Sequence, residues 1–99
     1  MKRAIIIGAS SGIGRELALL LSKEGYDLGL AARRIDLLVK LQGALPGRCF
    51  IRELDITADE NVISGVMSEL FDALGGVDLV IVSSGTGHIN PELVWRKEQ

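Results

Sequence analysis

A glycine-rich segment near the start of the chain has the composition of a phosphate-binding turn. Gly8, Gly12 and Gly14 lie between the apolar run Ala4-Ile5-Ile6-Ile7 and a segment whose leucines have helical spacing. A phosphate needs backbone N–H groups that point at it without intervening side chains, and the amino end of a helix adds partial positive charge. We therefore predict a phosphate site where the first strand turns into the first helix. The predicted contacts are Gly8, Ser10, Ser11, Gly12, Ile13 and Gly14.

Two adjacent arginines, Arg33 and Arg34, follow the second β-rich segment, Asp27 to Ala32. An acidic residue at this place in a dinucleotide-binding unit accepts hydrogen bonds from the ribose hydroxyl of NAD. A carboxylate would repel a 2′-phosphate, whereas a guanidinium binds one through charge-assisted hydrogen bonds. The pair therefore predicts NADP rather than NAD as the cofactor. The same two residues are also typical of a solvated helix start.

The chain alternates short β-rich runs with longer helical ones. The third helix carries a wide apolar stripe that Gly75-Gly76 ends, and Thr57 with Glu60 fits a capping box at its start. Asn90 followed by Pro91 fits the start of a fourth helix. The predicted strands are 4–7, 27–32, 48–54 and 77–82. The predicted helices are 13–24, 35–41, one that follows the N-cap Thr57 and ends at Leu74, and one with Asn90 as its N-cap.

This order predicts an α/β fold, a Rossmann-type doubly wound parallel sheet with four strands in the order 3-2-1-4 and helices on both faces. The carboxyl ends of all four strands then lie at one edge of the sheet, where ligands bind such folds. We treat residues 1–99 as one dinucleotide-binding half-domain. The last segment, Leu93 to Gln99, begins a helix without a stop signal, so we expect a cut through a longer protein.

The glycine spacing resembles that of the short-chain dehydrogenase/reductase (SDR) family, whose motif reads T/S-G-x-x-x-G-I-G. Gly8, Gly12, Ile13 and Gly14 are in register with it, and Ile7 stands where threonine is usual. The resemblance implies that Arg33 faces the adenosine phosphate of NADP. It also implies hydride transfer between NADP(H) and a carbonyl or alcohol substrate.

Two further strand ends carry the resemblance. The pair Asp55-Ile56 is similar to the family's aspartate–hydrophobic pair that contacts the adenine ring, although Asp55 also suits the approach to a helix amino end. Ser83, Ser84 and Gly85 stand where the family usually has N-N-A-G, and we include them among the cofactor contacts.

The family's catalytic residues are a serine and a Tyr-x-x-x-Lys pair, and the resemblance places them beyond the segment present here. The single tyrosine, Tyr26, lies between a predicted helix and a predicted strand and does not match that pair. We therefore assign no catalytic residue and expect the 99-residue chain alone to bind cofactor without catalysing hydride transfer.

Composition excludes several other functions. A net charge of −2 with scattered basic residues gives no reason to expect nucleic acid, and no apolar run approaches the length of a membrane span. The single cysteine, Cys49, cannot form an internal disulfide and fits a buried strand residue in a reducing cytoplasm. We predict no metal site.

Two alternative functions remain open. Ser10 also fits the G-x-S-x-G elbow of serine hydrolases, although the single histidine, His88, has no spacing that brings it to this serine. The chain also fits a stand-alone NADP-binding sensor or scaffold. We further expect self-association, through the exposed edge of the fourth strand or through the last helix with Trp95.

Overall fold

A computed structural model describes residues 2–9, 12–55 and 59–82 of the chain. Several residues singled out from the sequence lie outside these ranges, namely Ser10, Ser11, Ile56, Thr57, Ser83, Ser84, Gly85, His88, Asn90 and Trp95. Apart from the capping role of Thr57, which the start of the third helix decides, the predictions for them, including the fourth helix, stay predictions.

Strands and helices alternate along the described part of the chain. Within it they are β1 (Arg3–Ile7), α1 (Gly12–Lys23), β2 (Asp27–Ala32), α2 (Ile35–Ala44), β3 (Cys49–Glu53), α3 (Glu60–Leu74) and β4 (Leu79–Val82). The predicted alternation is therefore confirmed over these ranges.

The sheet is parallel throughout and has the order β3-β2-β1-β4, as predicted. In this register, the carboxyl ends of the four strands are aligned. Ile7 of β1 pairs with Ala31 of β2 on one side and with Val82 of β4 on the other. Ala32 of β2 pairs with Glu53 of β3. The segments that follow the four strands therefore start at the same edge, which we call the carboxyl edge.

Two hydrophobic clusters cover the two faces of the sheet. Alternate residues of a strand point to opposite faces, so Ile6 packs with α1 and α2 while Ile5 packs with α3. Both isoleucines are fully buried, which explains why β1 is a continuous apolar run. Helices on both faces confirm the doubly wound architecture.

The predicted capping box of the third helix is wrong. The helix begins at Glu60, and Asp59 is its N-cap, with its carboxylate accepting a hydrogen bond from the Asn61 N–H at 2.7 Å. Aspartate caps a helix as well as threonine does, and its charge also favours the helix dipole. Glu60 is consequently the first helical residue and does not occupy the third position that a capping box requires. The end of the helix is as predicted, with Gly75 as C-cap at φ 79°.

Other boundaries differ from the predictions by a few residues. α2 continues to Ala44 instead of ending at Leu41, and it stops at Leu45 because the following Pro46 disfavours helical backbone in the residue before it. β4 begins at Leu79 and not at Val77, because the Asp78 amide and carboxylate bind the backbone of Arg3 beside the sheet.

Candidate functional site

The turn that follows β1 is anchored on the neighbouring strand. Gly8 has a positive φ of 87° and donates its N–H to the Ala31 carbonyl at 2.7 Å. The Ala9 N–H donates to the same carbonyl at 3.4 Å, and Ala9 is fully buried. These two amides are therefore satisfied by β2 and are not free for a ligand, which the sequence did not indicate.

Amides without a hydrogen-bond acceptor in their own helix occur instead in the first turn of α1. The first four N–H groups of a helix have no acceptor within the helix, and α1 starts at Gly12, followed by Ile13 and Gly14. Gly12 is exposed with φ 62°, and a Cβ built on it would meet nothing within 4 Å. Gly12 therefore brings no side chain of its own to the amino end of α1, where an anion would accept hydrogen bonds from such amides.

Gly14 allows α1 to start unusually close to the turn. A Cβ at this position would overlap the Gly8 carbonyl oxygen and would lie 3.1 Å from the Ala9 Cα, both of which are backbone atoms. Because backbone atoms have little freedom to move aside, a side chain here would push the helix away from the turn. The third glycine of the motif is therefore required by packing.

Arg33 follows β2 directly and is exposed. Within the described residues, its guanidinium makes no hydrogen bond or ion pair. Arg33 lies two residues beyond Ala31, whose carbonyl accepts the Gly8 and Ala9 N–H groups. Its backbone is therefore at the same edge of the sheet as the glycine turn, on the neighbouring strand, and neighbouring strands are about 4.8 Å apart.

Arg34 differs from Arg33 because it is already paired. Its Nε and Nη2 donate to the two carboxylate oxygens of Asp36 at 3.1 and 3.0 Å. This hydrogen-bonded pair lowers the pKa of Asp36 and raises that of Arg34, so both groups are charged near neutral pH. The side chains stay 64% and 58% exposed. Both arginines are predicted cofactor contacts from the sequence, where the signal for this pair is Asp36, an acidic residue in the first turn of α2.

The third strand brings Asp55 to the same edge. The Leu54 N–H donates to the Ala32 carbonyl at 2.8 Å, which ties the end of β3 to the end of β2, and Asp55 follows in an exposed position. The fold thus gathers Gly8, the amino end of α1, Arg33 and Asp55 along one edge of the sheet. The predicted contacts Ser10, Ser11, Ile56, Ser83, Ser84 and Gly85 lie outside the described residues.

No group of three or more His, Cys, Asp or Glu side chains suited to a metal occurs within residues 2–9, 12–55 and 59–82. None of the helices in these ranges is both long enough and apolar enough to cross a bilayer.

Comparison with known proteins bears out the resemblance. A family model described as short chain dehydrogenase matches residues 2–98. An uncharacterized oxidoreductase of Mycobacterium tuberculosis is 41% identical over 91 residues, which cover 87% of this chain and 36% of the relative. The chain spans about a third of the length of the curated relatives it matches.

Two solved structures agree in fold and in sequence. An alcohol dehydrogenase from Thermococcus sibiricus, complexed with 5-hydroxy-NADP, is 34% identical with a TM-score of 0.73, and the match covers 81% of this chain and 35% of that one. L-Sorbose reductase from Gluconobacter frateurii, complexed with NADPH and L-sorbose, is 33% identical with a TM-score of 0.74, covering 88% and 34%. With its 3-2-1-4 parallel sheet and its glycine turn, the chain belongs to the short chain dehydrogenase family of oxidoreductases.

Proposed function

We propose that this chain forms the NADP-binding part of an oxidoreductase that transfers hydride between NADP(H) and a carbonyl or alcohol substrate. The observation that carries the proposal is Arg33, an exposed guanidinium without a partner among the described residues, directly after β2 and beside the glycine turn. Two relatives of similar fold, the alcohol dehydrogenase and the sorbose reductase, were solved with NADP-type cofactors.

The residues present fit a dinucleotide phosphate. The first-turn amides of α1 offer hydrogen-bond donors and partial positive charge, and Gly12 adds no side chain at this end of the helix. Arg33 supplies the additional cation that a 2′-phosphate needs and that the ribose hydroxyl of NAD does not. We assign Asp55, which follows β3, to the adenosine side of the cofactor.

Different residues at the carboxyl edge then have different roles in holding the cofactor. When bound, NADP supplies the nicotinamide ring that carries the hydride. The α1 amides hold the pyrophosphate, Arg33 holds the 2′-phosphate, and the glycine turn fixed on Ala31 keeps these donors in one place. Such fixed donors position the cofactor without a reorganisation cost at each turnover. The described residues therefore bind and orient, and the catalytic serine, tyrosine and lysine are proposed to lie outside this segment.

Binding of NADP and NAD to the Arg33→Gln variant tests the proposal. Loss of a hydrogen-bonded charge contact to phosphate corresponds to roughly a ten- to hundredfold weaker affinity. We expect this loss for NADP and an unchanged affinity for NAD, both measured by isothermal titration calorimetry on the full-length purified protein.

The matched control is Lys23→Gln, which also removes one exposed positive charge. Lys23 ends α1, about 17 Å along the helix from its phosphate-binding start, so this variant should bind both cofactors as the wild type does. Equal affinity of the wild type for NADP and NAD, or equal losses in the two variants, would refute the assigned preference.

A further inference from the structure

The Arg34–Asp36 pair lies at the same edge as Arg33, which has no partner in the described part of the chain, but it has the opposite consequence for a phosphate. Arg34 is the N-cap residue of α2, and its side chain makes no capping hydrogen bond. Asp36 lies in the first turn of the same helix and accepts from both Nε and Nη2 of Arg34. These two nitrogens form the edge of the guanidinium that grips a carboxylate or a phosphate in bidentate fashion.

A carboxylate and a phosphate would therefore compete for one edge of Arg34. While Asp36 occupies that edge, the remaining N–H donors of Arg34 are on Nη1 and on the outer side of Nη2, and the aspartate's own negative charge repels a phosphate that approaches them. The hydrogen bond to Arg34 lowers the pKa of Asp36, so this charge persists at neutral pH. Both side chains are largely exposed, so the pair is open to exchange with solvent or with a ligand.

We infer that Asp36 is a specificity-determining residue, which withholds Arg34 from the 2′-phosphate and so limits the preference for NADP over NAD. The inference rests on the proposed function, because it presumes that a 2′-phosphate binds beside Arg33. The two adjacent arginines thus have different roles in binding the 2′-phosphate. Arg33 binds the phosphate, and Arg34 contributes only when its carboxylate partner is removed.

The test compares two small probes that differ in the 2′-phosphate alone, adenosine 2′,5′-bisphosphate and adenosine 5′-monophosphate. Their dissociation constants are measured by calorimetry on the full-length protein, and the ratio isolates the 2′-phosphate. Asp36→Asn keeps the shape of the side chain and removes its charge. We expect the ratio to shift toward the bisphosphate by roughly two- to fivefold, the range typical of exposed charge interactions.

Two further variants identify the cause of the shift. In the double variant Asp36→Asn with Arg34→Gln, the gain should disappear, because the released guanidinium is no longer there. Glu69→Gln is the matched control, since it breaks another exposed arginine–carboxylate pair, Arg52 Nε to Glu69 Oε1 at 2.8 Å, on the opposite face of the sheet. This control should leave the ratio unchanged.

The outcomes separate this inference from the proposed function. If Asp36→Asn leaves the ratio unchanged or lowers it while Arg33→Gln still weakens bisphosphate binding, Asp36 does not withhold Arg34, and the inference alone fails. If Arg33→Gln also has no effect on bisphosphate binding, the 2′-phosphate site itself is wrong and both fail. A gain that survives in the double variant would likewise overturn the role given to Arg34.

Discussion

The two edges of the sheet are built from the same strands but use their polar groups in opposite ways. At the amino edge, polar groups bind one another. Asp78 accepts the Arg3 N–H with its carboxylate and donates its own N–H to the Arg3 carbonyl, and the buried Ser22 hydroxyl accepts the Gly47 N–H at 3.1 Å. At the carboxyl edge, the first-turn amides of α1 have no acceptor within the helix, and the guanidinium of Arg33 has no partner among residues 2–9, 12–55 and 59–82.

The difference shows how one fold separates stability from binding. A polar group that already has a partner gains little from a ligand, because the ligand only replaces one hydrogen bond with another. A helix amino end or an unpaired guanidinium has no internal partner to lose. Substitutions at the amino edge should therefore alter folding without altering cofactor preference, and substitutions at the carboxyl edge should alter binding. Substitutions at the two edges can therefore test whether stability and binding are separate.

The largest expected effect concerns thiol reactivity at the two edges. Cys49 is the first residue of β3, and burial raises the pKa of its thiol to about 12. Only the thiolate reacts with iodoacetamide, so at pH 8 the folded protein should react roughly a thousandfold more slowly than a cysteine of ordinary pKa near 8.5. The urea-unfolded protein provides the reference rate, and mass spectrometry follows the adduct.

A cysteine placed at the other edge makes the comparison direct. In a Cys49→Ser background, Arg33→Cys should react at a rate close to that of the unfolded chain, because Arg33 is exposed and has no partner among the described residues. If Cys49 in the folded protein reacts within about tenfold of the unfolded rate, the amino edge is more open than its contacts indicate.

The next effect in size is that of Gly14→Ala. The added Cβ would overlap the Gly8 carbonyl oxygen, so α1 must move, at a typical overpacking cost of about 1–3 kcal/mol in the free energy of unfolding. The same movement displaces the first-turn amides, and dinucleotide binding should be lost. Urea denaturation measures the first effect and calorimetry the second.

Gly65→Ala is the matched control for this substitution. Gly65 lies inside α3, is exposed, and would present a Cβ to open space. Alanine should therefore stabilise the helix by about 0.5–1 kcal/mol and leave binding unchanged. A Gly14→Ala protein that keeps both wild-type stability and affinity would disprove the close-packing role.

How much the sequence could predict follows from the range of the interactions. β1 and β2 were predictable because strands buried on both faces are apolar throughout, and their carboxyl ends then follow from the topology. The Arg34–Asp36 pair was not, since it depends on the side-chain rotamers of one helix start. The N-cap of α3 was misassigned because Thr57 and Asp59 both suit a cap, and only the packed helix decides between them.

The pairing of the Gly8 and Ala9 amides with Ala31 was missed for a related reason. A glycine-rich turn reveals where backbone can approach a ligand, but it does not reveal which amides the neighbouring strand has already bound. That information depends on the register of β1 against β2, which sets the Ala31 carbonyl beside the turn. The edge at which the four strands end was therefore predictable, and the pairing of the amides in the turn was not.

The smallest effect, and the most direct test of the separation, comes from Asp78→Ala at the amino edge. Alanine removes the carboxylate that accepts the Arg3 N–H at 3.0 Å, and one such hydrogen bond contributes about 0.5–1.5 kcal/mol to folding. Asp72→Ala is the control, because the side chain of Asp72 is exposed and has no partner within the described residues. The unfolding free energy of this variant should therefore change by no more than about 0.5 kcal/mol.

Neither variant should change the ratio of NADP to NAD affinity, whereas Arg33→Gln should change that ratio without lowering stability. An Asp78→Ala protein with altered cofactor preference would mean that the two edges are coupled through β1 and β4. Folding stability and cofactor binding would then not depend on separate edges.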